Sequence, residues 1–428
     1  MTDFAELHSH LYGCLTVDDL YFLAKRNTPR WQIFVDSWTK AHGSAPIMDG
    51  LMDPSNRGLL EKHYHFKRAS DFPKFQACFD LIIALSSTEP EELREIALRV
   101  AAREPAKHAE YRQLLSPFLP VEDFKARMRA LALAFEESNR ANRGKIARLA
   151  VSLPRRIDRA REYWKALQEI MEEEAVARQI VGVDFCSQEE GNPPQAIKPV
   201  LEEIHAFNRA NPDKALAILY HVGESFSDKS VESAVRWIVQ AARFGCHRLG
   251  HAIALGIDPQ MYGGTTRMEI LSERVDQIRF ELAEIESLNA VGIKLDPASL
   301  KAELSMLEKQ MVERPDELVP IRYDEQRLAN LRAFQDWAMQ EIRKTTAIIE
   351  SCPTSNLRIA AIQGRHPIHR FIDADLPVVI GADDPGIFDT DLPREFDILV
   401  DWGFSGEELA RLKARSLEVT SEKLVRRK

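Results

Sequence analysis

The stretch FAELHSH, residues 4–10, opens the chain with a strand-like run that ends in two histidines one residue apart, His8 and His10. Side chains two positions apart on a strand share a face, so both imidazoles point the same way. Seven further runs follow: EYRQLLSP (110–117), KIARLAVSL (145–153), IVGVDFCS (180–187), LAILYHVGE (216–224), HRLGHAIAL (247–255), TAIIESCP (346–353) and LPVVIGADD (376–384). Amphipathic stretches such as DFPKFQACFDLIIAL, EELREIALRVAAR and SAVRWIVQAARFG separate them. This repeated strand–helix alternation predicts an α/β fold, a parallel (β/α)8 TIM-type barrel. Chemically capable residues recur at the C-terminal ends of the runs: His10, Glu224, His251, Asp383 and Asp384. In such a barrel that end is the active-site face. A doubly wound open sheet competes, but no glycine-rich phosphate loop follows the first run.

The chain has 428 residues, with 45% hydrophobic and 29% charged, enough for one large domain with insertions. A net charge of −9 argues against a general nucleic-acid binder, and the terminal KLVRRK reads as a solvated helix end. No apolar run reaches membrane-spanning length. Strand-like sequence from Phe4 leaves no room for a signal peptide. Five scattered cysteines without a CxxC pair suit reduced thiols in a cytoplasm rather than a disulfide frame.

Two regions exceed a minimal barrel. Residues 28–66 are polar and irregular, with Pro29, Pro46 and Pro54, and read as a lid or pocket wall. Residues 259–322 carry Met268, Leu271, Val275, Ile278, Leu282, Ile285 and Leu288 at 3-4 spacing, then Leu300, Leu304, Leu307 and Met311 after a breaker. That pattern predicts an antiparallel helical hairpin of coiled-coil type, inserted between strands six and seven. Its apolar seam offers a surface for a second copy or another protein.

A lone strand-end histidine is more often a core residue than a ligand. The pair His63 and His65, flanked by lysines, reads as solvated surface. His8 and His10 differ by their company: His221 and Glu224 at one strand end, His251 at the next, Asp383 and Asp384 at the last. Three imidazoles and one carboxylate suit Zn²⁺ with a coordination position left for water.

The motifs HSHL, HVGE, RLGH, CPTSN and ADDP, in that order, resemble those of the adenosine deaminase family of metal-dependent hydrolases. SNLRI, HPIHRFIDADLPV and DFPKFQACFD are also similar to family segments. The resemblance implies a single hydrolase barrel over 1–428 that deaminates a 6-aminopurine compound, with one Zn²⁺ per chain. It implies that His8, His10, His221 and Asp383 bind the metal. Glu224 would protonate N1 of the purine, His251 would hold and deprotonate the attacking water, and Asp384 would bond N7. Two positions depart from the family pattern. Tyr12 stands where an Asp commonly meets the ribose end and Ser187 where a glycine N–H approaches the purine, while Arg112 lies in the second strand in the run EYR (110–112). Tyr12, Ser187 and Asp384 are therefore expected to contact substrate, with a relative of adenosine as that substrate. The competing readings are a metal-dependent amidohydrolase acting on another C–N bond, and a deaminase-like component of an assembly built through the hairpin.

Overall fold

The computed structural model describes residues 3–314, 317–360, 362 and 364–427. Among these residues are ten strands: β1 Ala5–His10, β2 His108–Leu114, β3 Ile146–Ser152, β4 Ile180–Phe185, β5 Ala217–Val222, β6 Arg248–His251, β7 Thr266–Ile270, β8 Leu318–Arg322, β9 Ile348–Ser351 and β10 Val378–Ile380. Eight form one parallel sheet in the order β1-β2-β3-β4-β5-β6-β9-β10. The sheet closes through a parallel bridge between Ser9 and Asp383. All eight expected runs are barrel strands, and the fold is a (β/α)8 barrel. Strands covered on both faces read as near-continuous apolar runs, which is why they stand out in the sequence.

The helices between strands are fixed by local chemistry. Asp71 caps Phe72–Leu85 by accepting from the Lys74 N–H, and Thr16 with Asp19 forms a capping box on Val17–Arg26. Helix Val231–Arg243, capped by Ser230, is buried on nearly every face because the insertion after β6 packs over it.

That insertion differs from the hairpin expected over 259–322. Met268 lies in β7, which pairs antiparallel with β8, so the helix starts only at Leu271. It breaks at Glu284, and Leu288 joins the main core. Leu271, Val275 and Ile278 pack against Leu300 and Leu307 of helix Pro297–Glu313. The unit lies against its own barrel rather than projecting freely. Trp237 Nε1 donates to Glu273 at 2.9 Å, Arg236 pairs with the same carboxylate, and Ser230 Oγ donates to Glu269 at 2.7 Å.

Residues 28–66 hold two helices, Trp31–His42 and Arg57–Tyr64, rather than irregular chain. His63 is buried, packing against Trp38 and bonding the Leu59 carbonyl, and His65 reaches the Gly386 carbonyl, so neither is a free surface group. The tail is likewise anchored. Arg427 donates to the Ile180 and Asp213 carbonyls, and Ser421 Oγ bonds Glu110 inside the barrel. Lys428 lies outside the described residues. Among the described residues, no helix is long and apolar enough to cross a membrane.

Candidate active site

His8 and His10 leave the end of β1 on one face, His221 lies near the end of β5, and Asp383 follows β10. One donor atom from each of these four residues falls within 4.8 Å of the others. His10 Nε2 is 3.2 Å from His221 Nε2 and 3.4 Å from Asp383 Oδ1, and His8 Nε2 is 3.6 Å from the same oxygen. Ligands about 2.0–2.1 Å from a tetrahedral ion stand about 3.3 Å apart, so the spacing suits one ion.

The proton positions agree. His8 Nδ1 donates to Glu350 at 2.9 Å, and His221 Nδ1 donates to Asp184 at 3.1 Å. Both rings therefore turn an Nε2 lone pair toward the Asp383 carboxylate and each other. Converging lone pairs repel unless a cation lies between them, so the donor set fits a divalent metal. Carboxylate-bonded histidines are common behind metal ligands. Burial pushes the His221 imidazole down to about 3, which keeps it a neutral donor. Burial opposes ionisation of Asp383, yet the His10, His8 and His251 imidazoles around it hold its carboxyl well below the usual range.

Glu224 and His251 face the same space, His251 Nε2 lying 3.6 Å from Glu224 Oε2. Burial, then the Asp383 charge, push Glu224 well above the usual carboxylate range, which favours its neutral acid form. Its backbone is clamped: the N–H groups of Gly223, Glu224 and Ser225 all donate to Glu189 at 2.7–3.1 Å. His251 is held from behind. Asn356 Oδ1 accepts from the Cys352 N–H at 3.2 Å, so its amide nitrogen donates to His251 Nδ1 at 2.9 Å. That assigns the ring proton to Nε2 and makes His251 a donor toward the site. The expectation that it deprotonates water conflicts with this tautomer. Asp384 is buried, with its carboxyl raised by burial and by Asp383, and Oδ1 has no partner among the described residues.

The departures resolve differently. The Tyr12 hydroxyl donates to Glu92 at 2.8 Å and its ring is buried in the core, so it does not offer its hydroxyl to a ligand as expected. Ser187 is exposed at φ 72, keeping the left-handed backbone that glycine takes most readily. His251 and Asp383 share that conformation, at φ 66 and 63, and such local strain clusters at functional sites.

Sequence reasoning missed Asp184, Glu350, Asn356, Glu189 and Gly13. The first two are acids inside apolar strand runs, an available signal, because a buried charge needs a partner. Gly13 carries a different constraint: a Cβ there would sit 1.6 Å from Asp384 Oδ1.

Comparison with known proteins gives consistent results. An aminodeoxyfutalosine deaminase from Acidothermus cellulolyticus is 49% identical over 59 residues, 13% of this chain and 17% of that protein. An adenosine deaminase from Shewanella loihica is 36% identical over 93 residues, 21% of this chain and 28% of its own. An adenine deaminase from Agrobacterium fabrum is 34% identical over 92 residues, again 21% and 28%. The matched segments thus span less than a third of each of these relatives. The fold extends further: an adenine deaminase from Arthrobacter aurescens superimposes with TM-score 0.55 at 18% identity, covering 100% of this chain and 98% of that one. A Zn-bound amidohydrolase from Burkholderia ambifaria does so with TM-score 0.58 at 15% identity, over 98% and 85%. The adenosine deaminase family model matches residues 53–289 and 327–423, well over half of the chain, skipping the part of the insertion that holds helix Pro297–Glu313 and β8. The chain belongs to the adenosine deaminase family.

Proposed function

We propose that this protein is a zinc-dependent hydrolytic deaminase of a 6-aminopurine compound, releasing ammonia and leaving a 6-oxopurine. The observation that carries the reading is the meeting, at one barrel end, of the four-donor cluster with the buried Glu224 carboxyl and the His251 imidazole, 3.6 Å apart. The relatives named adenosine, adenine and aminodeoxyfutalosine deaminase support the substrate class.

His8, His10, His221 and Asp383 would hold the zinc. When bound, it lowers the pKa of water and so makes hydroxide available near neutral pH. Addition of hydroxide at C6 places electron density on N1. Glu224, its carboxyl raised by burial, donates its proton to N1, and its carboxylate then takes the hydroxyl proton of the oxygen added at C6 and passes it to the departing amine. His251 directs Nε2–H at the oxygen added to C6 and stabilises its charge. Asp384, its carboxyl raised by burial and by Asp383, would donate to N7, an acceptor that an ionised carboxylate would repel. The Ser187 N–H, on the loop after β4, would meet the purine. Residues 28–66 wall the pocket, since the Phe66 N–H bonds the Ile387 carbonyl just beyond Asp384. The insertion over 259–322 turns its seam inward, so self-association or a partner would use its outer face, where Met306 and Val312 are exposed. A cytoplasmic setting suits the five free thiols.

The test is ammonia release by purified protein from adenine, adenosine, deoxyadenosine, adenine nucleotides, aminodeoxyfutalosine and N6-substituted forms. At least one of these should turn over with kcat/KM above about 10⁴ M⁻¹s⁻¹. No ammonia from any member by zinc-loaded protein would sink the reading.

A further inference from the structure

Four cation ligands have a cation as their neighbour. Arg112 of β2 is fully buried in the barrel interior. Its Nη1 is 3.4 Å from His8 Nε2 and 3.4 Å from both ring nitrogens of His221. Equal distances to both nitrogens put it over the ring face, because an in-plane approach would collide with Cε1. It therefore leaves the in-plane Nε2 lone pair of His221 free.

The strong partners of Arg112 are carboxylates. Nη2 donates to Glu350 Oε2 at 2.5 Å and to the Leu7 carbonyl at 3.3 Å, and Nη1 lies 3.4 Å from Asp184 Oδ1. Those same two oxygens accept the Nδ1–H of His8 and of His221. One guanidinium thus spans the two acceptors that orient two imidazoles. Arg248 also reaches Glu350, at 3.2 Å, but is itself paired with Glu110. Asp184 has only Arg112 as a cationic side chain within ion-pair distance among the described residues, besides its histidine.

We propose that Arg112 is a positioning residue for the metal site: it clamps Glu350 and Asp184 so that His8 and His221 keep their Nδ1 protons and present Nε2 to a divalent cation. Planar, forked donors let one side chain hold two acceptors in fixed geometry, which an ammonium on a flexible stem does less firmly. Charge supports the same role. Asp383, Asp184, Glu350 and Arg112 leave the inner site neutral once a divalent cation is bound. Without Arg112, two fully buried carboxylates would compete for one charge, and unpaired buried charge disorders the groups that bear it. The inference rests on the metal reading of the four-donor cluster.

The experiment is the zinc Kd of metal-free protein, measured by competition with a chromophoric chelator, for wild type, Arg112→Met, Arg112→Lys, Glu350→Gln and the double variant Arg112→Met/Glu350→Gln. Arg112→Met should raise Kd by about 10- to 100-fold, the usual effect of losing support behind a ligand. Arg112→Lys should raise it less, yet measurably. The double variant should lose less than the product of the two single effects, because both act through one carboxylate. Equal or tighter zinc binding by Arg112→Met, or single effects that simply multiply, overturns the proposal. Should Arg112→Met fail to fold, Arg112→Lys decides: an unchanged Kd refutes the clamp. A wild type that binds no zinc refutes the metal reading itself, and this inference with it, and so is distinguishable from failure of the clamp alone.

Discussion

The Asp383 N–H donates to the His8 carbonyl at 2.8 Å, and the His10 N–H donates to the Asp383 carbonyl at 2.9 Å. The last seam of the barrel is therefore made by the backbone of residues whose side chains form the donor cluster. The spacing of the donor atoms is set by strand register rather than by a mobile loop, the arrangement that holds a constellation within a fraction of an ångström.

Metal content follows from this. Wild-type protein is expected to carry about one zinc per chain, and His8→Ala or Asp383→Ala to lose most of it, since each removes one of four ligands. Elemental analysis of protein purified without added metal measures it. Wild-type metal content in both variants would mean that the ion is held elsewhere.

Glu224→Gln keeps the size of the side chain and its backbone clamp but cannot deliver a proton to N1. The expected outcome is unchanged zinc with kcat down by about 10²- to 10⁴-fold on the best substrate. Steady-state kinetics with metal analysis on the same sample decides the matter. Near-normal kcat would remove Glu224 from the mechanism.

Gly13→Ala tests a contact invisible in the motifs. A methyl group at that position would meet Asp384 Oδ1 at 1.6 Å, so the carboxyl must move. A displacement of this size at a reacting centre costs about 10²-fold, so kcat/KM should fall by that much while zinc is retained. Kinetics indistinguishable from wild type would show that Asp384 does not position substrate.

The barrel was legible because buried parallel strands are apolar along their length and here end in histidine or aspartate. His8, His10, His221, Glu224, His251, Asp383 and Asp384 could be named together because each closes such a run. Their supports could not. Glu350 is 342 residues from His8, and Asp184 is 37 from His221. Only the closed sheet shows that these acids meet those rings. Tyr12 misled because period-two reasoning was carried past His10, where the strand ends and a 3₁₀ turn begins at Tyr12. Met268 misled for the converse reason: its spacing fits a helix, but β8 pairs with it across the insertion. His63 looked solvated between charged neighbours, while Trp38 and Phe34 cover its ring from another helix.

A pH effect on stability is expected away from the site. Burial pushes His366 down to about 3 from an ordinary 6.5. Its Nδ1 accepts from the Ile368 N–H at 3.1 Å, and the ring stacks on Trp402. Because the folded value is the lower one, the unfolded chain takes up the proton first as pH falls. Stability is therefore lost from about pH 6.5 down toward 3, by about 1.4 kcal/mol per unit. His366→Asn retains an acceptor for Ile368 but does not titrate. Between pH 7.5 and 5.5 its unfolding free energy should fall by about 1.4 kcal/mol less than that of wild type, read from urea denaturation. Parallel pH profiles would show that His366 is protonated in the folded protein.

The central claim is hydrolysis of the exocyclic C6–N bond at the cluster of His8, His10, His221 and Asp383. Its most direct measurement is the stoichiometry of ammonia and 6-oxopurine formed from the best substrate, before chelation, after chelation and after zinc is restored. The account predicts equal amounts of the two products, loss of both on metal removal, and their return with zinc. Ammonia without the 6-oxopurine, or undiminished turnover by metal-free protein, would contradict it.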